Sequence, residues 1–179
     1  MKGGPPAPQL AGEISTEISL FHGAETMYLQ AWELFGAGAT VVNAVGFIDG
    51  IRLRNPSKSG VIAVITKAAV SVTINSSLNM FQGPQSADLG SVGTLFGLDS
   101  RGRAQPSCQF TFSTNPPIFG TNIGTYNEIA GTTLDLLGPA DEIPLLPGTA
   151  WQITTTVQNL VMQIAMRWRE RALEESELT

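Results

Sequence analysis

The stretch that most constrains this chain is residues 61–74, the longest β-rich run in the sequence. In its first half both alternating sets are apolar, with Val61, Ala63 and Ile65 on one side and Ile62 and Val64 on the other. Successive strand side chains point to opposite faces, so this stretch predicts a strand covered on both sides. Covering it requires layers, and most other apolar stretches repeat with the same period of two. Ile14, Ile18 and Leu20 alternate in residues 13–20, as do Cys108, Phe110 and Phe112, and later Trp151, Ile153, Thr155 and Val157.

Between these lie segments with a weaker alternation. Residues 27–35 fit a strand or a short helix, which Gly36-Ala37-Gly38 is expected to end. Residues 40–48 and 51–54 read as two strands joined at Asp49-Gly50 in a tight hairpin. Residues 55–60 have loop chemistry, residues 75–105 read as a long excursion with little regular structure, and residues 119–127 as a second loop. Leu134/Leu136 and Ile143/Leu145 mark short strands, and Leu146-Pro147-Gly148 a turn. Leu160, Met162, Ile164, Met166 and Trp168 alternate, yet Val157, Leu160, Val161, Ile164 and Trp168 also fit helical spacing. A helix would expose Met162 and Met166, which favours a strand to Arg169.

Only 14% of residues are charged, against an ordinary ~25%, while Gly (19) and Pro (11) are frequent. Exposed helices normally carry many charges, so this composition agrees with an all-β chain. The economical architecture is a jelly-roll-like antiparallel β-sandwich over residues 13–170. An extended Pro/Gly-rich N-terminal arm (residues 1–12) precedes it and an acidic tail (residues 171–179) follows. Long loops are expected to carry the interactions.

A net charge of −5 argues against nucleic acid as a partner, because neutralising phosphates takes a basic stripe. Arg52/Arg54/Lys58, Arg101/Arg103 and Arg167/Arg169/Arg171 are short groups, the last interleaved with Glu170, and suit solvated faces or interface ion pairs. No apolar run reaches the ~18 residues of a membrane span, and the first residues lack the apolar core of a secretion signal. A soluble chain without a membrane partner is expected.

Chemistry-bearing residues are scarce. The single histidine, His22, and single cysteine, Cys108, leave little for triad, thiol or zinc mechanisms. Gly36-Ala37-Gly38 lacks the third glycine of a dinucleotide loop, Asp99-Ser100-Arg101-Gly102-Arg103 has no cation-loop pattern, and Asp141-Glu142 reads as solvated loop acids. Trp32, Trp151 and Trp168 are better core or interface anchors than a sugar platform. Carboxylate chemistry of the glycosidase type is the one enzymatic class that counting leaves open. A non-enzymatic protein with no cofactor and no metal is expected.

Three stretches carry a resemblance: residues 52–61 (Arg-Leu-Arg-Asn-Pro-Ser-Lys-Ser-Gly-Val), Leu146-Pro147-Gly148, and Trp168-Arg169-Glu170-Arg171. Over residues 40–171 their pattern resembles tailed-bacteriophage structural proteins with jelly-roll folds. Similar proteins act as capsid decoration or cement proteins, commonly trimers at threefold positions of the shell, and others sit on tails or head fibres. The resemblance implies a homotrimer on the capsid exterior whose partner is the major capsid protein. A receptor- or glycan-binding module of a tail or fibre is the alternative. The interface residues expected are Pro5, Pro6 and Pro8 of the arm, with Arg52, Arg54, Arg101, Arg103, Trp168, Arg169 and Arg171.

Overall fold

The computed structural model describes residues 32–42, 45–98, 105–138 and 141–174. The expected arm, the strand at 13–20, His22, Arg101, Arg103 and the last five residues lie outside them. Among the described residues there are twelve strands. They are β1 (Glu33–Val42), β2 (Asp49–Arg54), β3 (Val61–Val72), β4 (Ser76–Pro84), β5 (Ser91–Val92) and β6 (Thr94–Gly97). The chain continues with β7 (Gln109–Thr114), β8 (Thr121–Glu128), β9 (Leu134–Asp135), β10 (Ile143–Leu145), β11 (Thr149–Thr155) and β12 (Val161–Ala172).

Two antiparallel sheets pack face to face. The first has the order β10-β3-β12-β1-β6, with β9 beside β3, and the second β5-β7-β2-β11-β4-β8. With β9 and β10 taken as one interrupted edge and the β5–β7 excursion set aside, successive strands alternate between the sheets except at β4 and β8, which pair within the second. The remaining order, β10-β3-β12-β1 over β2-β11-β4-β8, is that of a jelly roll. The excursion closes one side of the sandwich: β5 pairs β7 in the second sheet, and the chain then crosses so that β6 pairs β1 in the first.

Period two explains the core. On β12, Met162, Ile164, Met166 and Trp168 all face inward, so the strand reading of this segment holds and extends to Ala172. Trp168 lies opposite Phe35 of β1, their ring centroids 6.1 Å apart. Ile51, Leu53, Phe110, Trp151 and Ile153 supply the facing layer, each contributing about 2–3 kcal/mol of transfer free energy. Of the run 61–74, Val61–Val72 form an internal strand, with Ala63, Val64 and Ile65 buried, while Thr73 and Ile74 belong to the connection that follows. The pairs at Leu134 and Ile143–Leu145 and the turn at Pro147-Gly148 also match their sequence signals.

Several expectations are corrected. β1 runs through Gly36-Ala37-Gly38, and glycine is needed at 36 because the ring of Phe96 occupies the space a side chain there would need. The expected hairpin does not form: β1 and β2 belong to different sheets, and Asp49-Gly50 is strand. The chain turns instead at Val45-Gly46, where Gly46 has φ +90°, a conformation that favours glycine. Gly50 is needed for another reason, since the ring of Pro116 fills the place of its missing side chain. The excursion at 75–105 contains β4, a strand between β11 and β8, and the supposed loop at 119–127 contains the edge strand β8.

Candidate interaction surfaces

Over β2 and β11 the outer face of the second sheet is covered by the chain itself. Arg52 points outward from β2 yet is fully buried, because residues 85–90 and 115–120 cross over it. Its Nε and Nη2 donate to Oε1 of Gln152 on β11 at 2.9 and 2.6 Å, Nη1 to Ala87 O at 2.7 Å, and Nη2 to Pro117 O at 3.2 Å. Phe119 lies under the guanidinium carbon, 4.8 Å from ring centroid to Cζ. Only a planar fork of donors can reach three segments at once, which explains arginine here. Burial pulls the Arg52 pKa down, partly opposed by Asp88. Arg54 makes a bidentate pair with Asp88, both bonds 2.6 Å, and also bonds Gln109; the Asp88 hydrogen bond pushes its pKa up. Two of the expected interface cations therefore hold the fold together from within.

At the end of the sandwich where β1 begins and β12 finishes, the three stretches that carry the resemblance meet. Nδ2 of buried Asn55 donates to Val61 O and Leu145 O, each at 2.8 Å, joining β3 and β10. Its backbone N–H donates to Thr149 O at 2.9 Å and its carbonyl accepts from Gly148 at 2.8 Å. Glu170, buried at the end of β12, accepts from the backbone N–H groups of Ser107 and Cys108 at 2.8 and 2.9 Å and from Trp168 Nε1 at 2.9 Å. It ties the first sheet to the start of β7. Trp168 is core; Arg169 pairs with Glu142 at 2.8 Å, and Arg171 is close to Glu174 at 3.9 Å. The three stretches thus form a structural corner. Asn55 and Glu170 carry no special sequence signal beyond sitting in those stretches.

The opposite end is built from the β1–β2, β3–β4, β8–β9 and β11–β12 connections, and its character is different. Residues 45–48, 73–75, 129–133 and 156–160 contain no Asp, Glu, Lys or Arg. Large apolar side chains stand exposed there: Val45 86%, Val42 68%, Ile129 63%, Ile74 43% and Phe47 42%. Hydrogen bonds fix the loops to one another, Gly46 N–H to Asn159 Oδ1 at 3.2 Å and Ala130 N–H to Asn75 Oδ1 at 2.8 Å. Val161 N–H also donates to Thr73 Oγ1 at 2.8 Å. The carboxylates beneath are buried: Glu128 accepts from Thr132 at 2.9 Å, while neither oxygen of Asp49 has a hydrogen bond. Asp49 sits at the root of the Val45-Gly46 turn in line with Ile51 and Leu53, and burial pushes its pKa up to about 7.

The outer face of the first sheet holds a shallow groove of about 600 Å³, lined by small and neutral side chains including Thr40, Ser71 and Gln163, with Phe96 at its rim. Among the described residues, no group of three His, Cys, Asp or Glu side chains could hold a metal ion, and no helix is long and apolar enough to cross a membrane. No family model matches the chain, and neither does any curated protein or solved structure.

Proposed function

We propose that this chain is a non-enzymatic virion structural protein of the tailed-bacteriophage type, a decoration or cement protein that binds the major capsid protein on the capsid exterior and bridges neighbouring capsomers as a trimer. The observation that carries this reading is a jelly roll with an interior filled by large side chains and with two of its own connecting segments laid across β2 and β11. Trp151, Trp168, Phe35 and Phe110 fill the interior, and Arg52 locks two crossing segments onto the second sheet. Such a block is suited to transmitting load between partners, since close-packed interiors deform little. Its contacts are left to the loop ends and the N-terminal arm. Pro5, Pro6 and Pro8 lower the entropy lost when that arm orders on a neighbour.

Imaging of the intact particle tests the assignment: copies at threefold positions over the whole shell are expected, and copies confined to a tail or fibre overturn it. Deleting residues 1–12 is expected to lower occupancy on capsids while the sandwich stays folded, and unchanged occupancy removes the arm from the mechanism. The groove with Phe96 at its rim and Thr40, Ser71 and Gln163 along it favours, as a second reading, a glycan-binding module of a fibre. Glycan binding that is lost on Phe96→Ala would select that reading.

A further inference from the structure

We infer that the uncharged loop end, with Val45 and Ile129 at its surface, is the surface through which this chain contacts further copies of itself. Summed over this end, its five exposed large side chains present on the order of 500 Å² of apolar surface, an amount comparable to the largest patch of an ordinary monomer. With the polar loop atoms between them, the area approaches the ~800 Å² that each partner contributes to a standard interface.

Charge selects the occupant. Each copy carries a net charge of −5, so identical molecules repel wherever their charged surfaces meet. Among the described residues, the exposed charges Lys67, Asp135, Glu142 and Glu174 lie on the first sheet or toward the opposite end. At the loop end Asp49 and Glu128 are buried, and a second copy can approach without opposing like charges. The loops are already fastened to one another, by Gly46 to Asn159 and Ala130 to Asn75 among other bonds, so little order has to be created on contact. Closed symmetry then places this end of each copy about a common axis.

The inference concerns self-contact and stands apart from shell binding, because its test contains no capsid. The mass of the purified full chain is measured by light scattering and sedimentation over a range of concentrations. The wild type is expected to be a discrete oligomer, and the Val45→Asp/Ile129→Asp pair is expected to reduce it to the mass of one chain with its β-sheet circular dichroism intact. Val92→Asp, at an exposed apolar position on β5 away from this end, is expected to leave the oligomer unchanged. If the charged pair loses its β signal, Val45→Ser/Ile129→Ser is read in its place. A wild type that stays monomeric at all concentrations overturns the inference. So does an oligomer that survives the loop-end substitutions, or one that Val92→Asp dissociates equally well.

Discussion

Asp49 makes the stability of this protein depend on pH in a direction opposite to the usual one for a carboxylate. Its side chain is buried, neither oxygen has a hydrogen bond, and burial is the cause that raises its pKa from 3.8 to about 7. The folded chain therefore holds this proton more tightly than the unfolded chain does. For this group, stability is fully present below about pH 4, falls as pH rises from there through about 7, and levels off above. Three pKa units at about 1.4 kcal/mol each give about 4 kcal/mol as the ceiling of the loss. Opening of the Val45-Gly46 turn would hydrate the carboxylate and lower that figure. Asp49→Asn keeps the shape and removes the ionisation. In urea titrations from pH 4 to pH 8.5, the variant should gain up to about 4 kcal/mol over the wild type at the alkaline end. That corresponds to a rise in Tm of about 10 °C for a chain of this length. The two proteins should converge near pH 4. Parallel wild-type and variant profiles across this range, or a variant less stable at pH 8.5, would refute the reasoning.

Three further perturbations probe the fastenings. Arg52→Ala should cost about 2–4 kcal/mol and expose residues 85–90 and 115–120 to limited proteolysis, with Arg52→Lys failing to rescue because a single compact ammonium cannot span acceptors that three guanidinium nitrogens reach on separate segments. Asn55→Ala should lower stability by about 2–3 kcal/mol in urea unfolding, since it leaves Val61 O and Leu145 O without their buried donor. Glu170→Gln turns an amide N–H₂ toward backbone N–H donors and should cost about 2 kcal/mol, with faster amide hydrogen exchange at Ser107 and Cys108 as its local signature.

Strands with one apolar face were legible in the sequence: β7, β11 and β12 announce themselves because alternate residues enter the core. β4 and β8 did not. β4 pairs Leu78 and Met80 with Ser77 and Asn79, a mixture that also fits a loop, and β8 is a polar edge strand with a glycine in its middle. Local pattern also says nothing about which sheet a strand joins, which is why residues 40–54 suggested a hairpin that the sandwich splits between its layers. The candidate surfaces were less legible still. Arg52 and Arg54 look like surface cations in sequence, and only the excursion folding back over β2 makes them internal. The loop end is dispersed over four separate connections, and its lack of charge becomes visible only when the topology brings them together.

The placement of β12 between β3 and β1 has a consequence for how the molecule comes into being. β12 follows the other described strands along the chain and is a central strand of the first sheet, so during translation β1 and β3 have no neighbour between them until Ala172 has emerged. Pairing across so many intervening residues is intrinsically slow, and a chain released short of that point has two unpaired strand edges with a half-built core. Completion of the fold thus acts as a check on chain length, and truncated copies should be lost to aggregation before they can join an assembly.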